Sequence, residues 1–273
     1  MNVIEPQILL VNDDGIRSPG LWAAAKALGA LGFVTVVAPR VQHSGAGRSL
    51  SSGTSDGKIE PTTLQIGDEE WTCYAVGGSP AQSVQLGIHA ILKRLPDLVV
   101  SGINYGENPS TEITASGTVG AALEGAAHGV PALAVSLQLE NEEWYSYSRS
   151  VDFSTAAFFT HKFAEILLDQ KMPADVDLLN LNVPAHATPE TPWKMTRLSR
   201  NRYFVPSLKQ KETQDAFVTD SAVRFDPDDP SDAGSDVRAF RVEKLVSVTP
   251  LSLDLTSRVN LQELQDSFER LNR

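Results

Sequence analysis

Four short runs of nearly unbroken apolar residues punctuate the first half of the chain: ILLV at 8–11, FVTVVA at 33–38, DLVV at 97–100 and VPALAV at 130–135. Each is too short for an independent helix, and none shows the polar–apolar alternation of a strand with one wet face. Strands of this kind are covered on both sides, the condition of a parallel sheet within an α/β protein. The segments between them carry helical spacing. Ser18-Pro19 reads as an N-cap followed by proline at the first helical position, with Leu21, Trp22, Ala25 and Leu28 on one face. Ser79-Pro80 opens a second helix that places Val84, Ile88, Ile91 and Leu95 together, and a small-residue helix covers 120–127. Strand alternating with helix predicts a Rossmann-like, mostly parallel sheet with flanking helices.

The second half reads differently. Residues 152–168 form a long amphipathic helix and 178–183 a further strand ending at Pro184. The polar stretch 199–241, which contains DPDDPSDAGSD, reads as an extended hairpin arm or a loop. VSVTPLSLDLT then resumes strand character, and Asn260 caps a last helix with Leu261, Leu264, Phe268 and Leu271 on one side. The expected division is a core over 1–195 and a C-terminal extension over 196–273, made of arm, returning strand and terminal helix. That extension is expected either to pack on the core or to be exchanged between protomers.

Charge and cysteine content narrow the function. With 23 basic and 34 acidic residues the formal charge is −11, which opposes binding of duplex nucleic acid because phosphate contacts dominate that affinity. No run approaches the length of a membrane span. The start, MNVIEPQILLVN, lacks a basic n-region, and the single cysteine, Cys73, has no partner for an internal disulfide. The expected compartment is the cytoplasm.

Ligands of open α/β sheets bind outside the carboxyl ends of the strands, and polar residues collect in the loops placed there. The first strand runs into Asn12-Asp13-Asp14-Gly15. The second leads to APRVQHSGAGRS with Ser44, Gly45, Gly47 and Ser49, and the third to SGINYGEN with Asn104, Gly106 and Asn108. A fourth loop enters a helix through Ser116-Gly117-Thr118, where free N–H groups and the helix dipole suit a phosphate. Two adjacent carboxylates repel unless neutralised. Carboxylate, hydroxyl and amide oxygens are hard donors that favour Mg²⁺, Mn²⁺ or Ca²⁺ over zinc. Each piece also has a plainer reading: aspartates as turn formers, glycine-serine loops as connectors, and SGT as an N-cap. His43, beside Ser44, is placed to serve as an acid or base. His89, His128, His161 and His186 read as surface or core residues. Trp144, Tyr145 and Tyr147 read as packing residues, with base stacking as the alternative.

Taken together, NDDG, APRVQHSGAGRSLS, GGSPAQSV, DLVVSGINYGEN, SGTVGAALEGAAHGVPALAVS, LNLNVP and VSVTPLSLDL resemble, in order, the SurE family of survival-protein nucleotidases. The resemblance runs from Ile8 to Thr256. It implies a metal-dependent phosphatase acting on nucleoside 5′- and 3′-monophosphates and, in some members, short polyphosphates, assembled as a homodimer or homotetramer. Carried over by position, the divalent cation (Mg²⁺ or Mn²⁺, with Ca²⁺ possible in crystals) would be held by Asp13, Asp14, Ser44 and Asn104. Asp13, Asp14 and Asn104 would also be catalytic. Asn12 would hold its loop, while Gly45, Asn108, Ser116, Gly117 and Thr118 would surround the phosphate. Four positions depart from the family pattern: Gln82 and Ser83 replace an aspartate and a cysteine, Ala115 a tyrosine, and Ser51 a threonine.

Three other readings are weighed against this one. A receiver-type signalling domain needs an aspartate after its third strand and a lysine after its fifth, and the corresponding segments offer Ser101, Asn104 and no lysine. A dinucleotide-binding dehydrogenase needs GxGxxG after the first strand, where NDDGIRSPG stands. A non-catalytic or broad-specificity member of the family rests on Gln82 and Ser83 alone.

Overall fold

The computed structural model describes residues 5–50, 55–139, 151–210 and 216–271, with side chains placed outside 207–221. Trp144, Tyr145, Tyr147 and Ser51 lie outside the described residues.

The first strand, β1 (Gln7–Val11), is apolar because its two faces feed two separate cores. Ile8 and Leu10 point into one, Leu9 and Val11 into the other. The first core lies under α1 (Pro19–Leu28) and α4 (Ser154–Asp169), which contribute Leu21, Trp22, Phe159 and Phe163. The second lies under α2 (Pro80–Leu86) and α3 (Gly117–Ala127), which contribute Val84, Val119, Ala121 and Ala122. The start of β5 (Leu98–Tyr105), with Leu98 and Val100 on one side and Val99 on the other, and β6 (Ala132–Leu137), with Leu133 and Val135 against Ala132 and Ala134, are sorted in the same way, so the described residues form a three-layer αβα sandwich. Burying one such Leu or Val is worth roughly 1.5–3 kcal/mol, and the polar residues of β5 and β6 lie toward their carboxyl ends.

The remaining strands are β2 (Phe33–Pro39), β3 (Ile59–Ile66), β4 (Glu69–Val76), β7 (Leu178–Val183), β8 (Trp193–Met195), β9 (Phe204–Gln210), β10 (Ala216–Val223) and β11 (Val246–Leu251). Nine of the eleven described strands form one sheet in the order β3-β4-β2-β1-β5-β6-β7-β11-β8. Pairing is parallel except β3 with β4 and β7 with β11. From β1 the chain builds outward through β2 on one side and returns to β5 on the other. The strand order therefore reverses between β1 and β5, and the crevice at their carboxyl ends is the ligand position of this topology.

Several expectations change at this level. The β3–β4 hairpin is absent from the sequence reading: IEPTTLQI and EEWTCYAV are too polar for a buried parallel strand, and Pro61 suits the outer strand of an edge hairpin. The helix opened by Ser79 ends in a π-helical turn over Gly87–Ile91, which leaves Leu95 about half exposed instead of on the helix face. The stretch 199–241 is not one arm. It comprises the antiparallel β9–β10 hairpin, a loop, and the short helix α5 (Asp236–Arg241), which buries Val237 and Phe240 against Tyr203. The residues 211–215 between β9 and β10 lie outside the described residues. β11 enters the main sheet beside β7. The last helix, α6 (Leu261–Leu271), buries none of its described residues.

Candidate active site

The loop after β1 is shaped by Asn12. This residue is fully buried; its amide donates to the Gly15 carbonyl (3.1 Å) and its Oδ1 accepts from the Gly15 N–H (3.1 Å). Gly15 closes the turn at φ +96°, a conformation open to glycine at little cost. Asp13 and Asp14, themselves buried, are thereby turned to opposite neighbours. Asp13 Oδ1 accepts from Thr118 Oγ1 at 2.6 Å, and its Cβ and Oδ2 would lie 2.7 and 2.8 Å from any Cβ on Gly117. Only glycine lets the start of α3 come this close. Asp14 Oδ2 accepts from the Tyr105 N–H of β5 at 3.1 Å, and Gln42 Nε2 lies 3.4 Å from its Oδ1.

Burial followed by repulsion from Asp13 pushes the Asp14 carboxyl up to about 8, and burial also raises Asp13 against the opposing pull of Thr118 and nearby backbone N–H groups. A buried acidic pair held this way accommodates a divalent cation, which offsets both the desolvation and the repulsion.

The loop after β2 and the end of β5 both meet this pair. The His43 N–H donates to the Asp13 carbonyl at 2.7 Å, which brings the exposed Ser44 and Gly45 beside it. The same loop is pinned further on by the Gly47 N–H to the Ala115 carbonyl (2.9 Å) and by Ser79 Oγ to the Ser49 carbonyl (2.5 Å). Asn104 donates its amide to the carbonyls of Tyr105 (3.2 Å) and Gly106 (2.7 Å), so its Oδ1 remains an acceptor at the β5 end. Asn108 is clamped: its N–H donates to Asn182 Oδ1, its Nδ2 to Ser136 Oγ, and its carbonyl accepts from Asn180 and Asn182. Ser116 caps α3 by accepting from the Val119 N–H at 3.1 Å. His43 makes its contact through the backbone, and burial lowers its imidazole below the usual range.

The sequence reading does not single out Asn180, Asn182 and Ser136, which hold Asn108, or Gln42, which meets Asp14. The signal for the asparagines was present: LLNLNV places two of them at a spacing of two, on one face of an otherwise apolar strand. Gln82 and Ser83 also gain an account. Gln82 Oε1 accepts from the Ser79 N–H (2.9 Å) while Ser79 Oγ accepts from the Gln82 N–H (3.1 Å), a reciprocal capping box. Ser83 Oγ donates to the Ser79 carbonyl. Both side chains serve the start of α2. Among the described residues there is no group of three or more His, Cys, Asp or Glu able to hold a metal. A cation here would accordingly complete its shell with neutral oxygens.

The family model of survival protein SurE matches residues 8–205. A protein of Archaeoglobus fulgidus named 5'-nucleotidase SurE is 42% identical over 267 residues, covering 97% of this chain and 98% of its own. A protein of the same name from Methanosarcina acetivorans is 41% identical over 273 residues, covering 96% and 98%. The crystal structure of SurE protein from Aquifex aeolicus superposes with a TM-score of 0.74 at 32% identity, covering 98% of this chain and 100% of that one.

Proposed function

This chain belongs to the SurE family, and on that premise we propose that it is a metal-dependent nucleotidase that hydrolyses nucleoside 5′-monophosphates to nucleoside and inorganic phosphate, with 3′-monophosphates as a second substrate class. The observation that carries the proposal is the position of Asp13 and Asp14. They stand at the β1–β5 switch point, one bonded to the start of α3 and the other to β5.

Asp13, Asp14, Ser44 Oγ and Asn104 Oδ1 would hold one Mg²⁺ or Mn²⁺, all hard oxygen donors. When bound, such an ion acts as a Lewis acid on a phosphoryl oxygen and lowers the pKa of a coordinated water. The protein's own part is positioning. Asn12 locks the acidic loop, and Thr118 Oγ1 fixes Asp13 Oδ1 against the start of α3. The Gly45 N–H would face the phosphate oxygens, where charge accumulates during transfer, while the Ser116 N–H is given to the Glu112 carbonyl and those of Gly117 and Thr118 bind the Asp13 carboxylate, so Ser116, Gly117 and Thr118 would serve the phosphate by fixing that ligand at the start of α3. Asn108, held on three sides, closes the β5 edge of the same cradle.

The assembly is a homodimer or homotetramer. α6 carries Leu261, Leu264, Phe268 and Leu271 at 41–83% exposure, an apolar stripe that a second copy would cover. No helix among the described residues is long and apolar enough to cross a membrane, and the working compartment is the cytoplasm. The test is phosphate release from a panel of nucleoside monophosphates with EDTA, then with Mg²⁺ or Mn²⁺ restored, alongside Asp14→Asn. Metal-restored release that vanishes in the folded variant is expected. Release unaffected by EDTA, or an Asp14→Asn protein as active as the parent, would overturn the assignment.

A further inference from the structure

The turn that follows Asn104 is gripped from far along the chain. Glu107, with 3% of its surface exposed, accepts at Oε1 from Tyr203 Oη (2.5 Å) and from Arg241 Nη2 (2.9 Å), while Arg241 Nε donates to Tyr203 Oη (2.5 Å). With its amide turned to present oxygen, Gln138 accepts from the same guanidinium at 3.2 and 3.3 Å. Three residues on, the Ser110 N–H donates to Asp236 Oδ2 at 2.7 Å, and the Tyr203 and Phe204 N–H groups reach the Glu112 carboxylate. The foot of the β9–β10 hairpin and α5 thus hold residues 107–112 at three points.

We propose that Arg241 and Tyr203 are positioning residues for the metal site, acting through Glu107 on Asn104. The path is short. Glu107 adjoins Gly106, whose carbonyl takes the Asn104 amide at 2.7 Å. That bond sets which face of the Asn104 amide turns to the acidic pair. A glutamate buried with a cation and a phenol cannot leave its place without stranding a charge in an apolar setting, so it makes a firm anchor. Releasing it lets the Gly106 carbonyl swing and Asn104 lose its orientation. Partners that orient a ligand in this way set metal affinity as well as turnover. The inference rests on Asn104 being a ligand.

The experiment uses the full chain. Free Mn²⁺ is titrated by its EPR signal, phosphate release is measured from one nucleoside monophosphate, and thermal melting is followed in EDTA. Arg241→Met is expected to weaken Mn²⁺ binding roughly tenfold and to lower kcat at nearly constant nucleotide KM. Arg241→Lys should recover part of both, and Tyr203→Phe should show a smaller loss in the same direction. Glu107→Gln combined with Arg241→Met should be no worse than Arg241→Met, as expected of one connected unit. If Arg241→Met and Tyr203→Phe melt at lower temperature yet bind Mn²⁺ and turn over within about twofold of the parent, the cluster is only a structural tie and the inference falls. Should Arg241→Met not fold, Tyr203→Phe decides alone on the same criterion. A parent protein that binds no Mn²⁺ and releases no phosphate removes the metal reading itself, a result distinct from normal parental binding unaffected by the variants.

Discussion

Gly120→Ala tests whether the cradle depends on close approach between α3 and the Ser44 loop. A Cβ on Gly120 would lie 2.3 Å from the Gly47 carbonyl oxygen, 2.4 Å from its carbon and 2.7 Å from the Arg48 nitrogen, all backbone atoms. Ordinary contact begins at 3.4 Å, so helix and loop must part by about 1 Å. The loop cannot yield freely. It is tied at His43 to Asp13, at Gly47 to Ala115, at Ser49 to Ser79, and at Arg48 to the buried Glu124 (2.7 Å). The displacement is therefore passed to Ser44 and Gly45. Overpacking costs roughly 1–3 kcal/mol, and alanine in a helix interior recovers about 1 kcal/mol relative to glycine. A net loss of at most about 2 kcal/mol leaves the protein folded, with Tm down by a few degrees. Activity should suffer far more, since a shift of about 1 Å in a reacting site costs on the order of 100-fold. The assay is kcat/KM for phosphate release with Mn²⁺ present, paired with a thermal melt. Gly29→Ala is the control: its Cβ would meet nothing nearer than 3.5 Å and its φ is −59°, so kcat/KM should be unchanged and Tm the same or slightly raised. A Gly120→Ala enzyme with parental kcat/KM would refute the reasoning, because the loop would then need no such contact.

Three further outcomes are expected. Adding Mn²⁺ at about 100 times its Kd to metal-stripped protein should stabilise it by about 2.7 kcal/mol, seen as a raised Tm that EDTA reverses; an unchanged melt would argue against any tight cation site. Phe268→Asp, on the exposed stripe of α6, should reduce the assembly to smaller species in light scattering while the core still melts cooperatively. An unaltered mass would remove α6 from the interface. Asp97 pairs with Arg94 at 2.7 Å and accepts from the Gln7 N–H at 2.7 Å. The Arg94 hydrogen bond leads in holding its pKa below the ordinary 3.8. A lowered folded-state value means stability present above pH 3.8 and lost as pH falls through the folded value. Both side chains are more than 40% exposed, so Asp97→Asn should cost less than about 1 kcal/mol at neutral pH. It should also flatten the acid side of the stability profile; a profile that stays as steep would show that the pair contributes nothing.

Much of this protein can be read from neighbouring residues alone. Runs such as ILLV and ALAV admit only apolar side chains because both sheet faces are covered, and that constraint is local enough to appear in four consecutive letters. The caps at Ser79 and Ser116 and the polar loops closing each strand follow from the same local chemistry, so the position of the acidic pair was legible too. Other features have no local pattern. α5 is six residues long and is held by Phe240 and Val237 packing on Tyr203, and the β3–β4 hairpin exists because the sheet has an edge for it. Gln42 reaches Asp14 across 28 positions, Asp13 meets Thr118 across 105, and Arg241 meets Glu107 across 134. By itself the sequence determined the strand–helix alternation and the loops that hold the chemistry, because burial periodicity and capping act over a few residues. Only the tertiary structure decided which distant side chains orient those loops, because such pairs depend on how the chain returns through space.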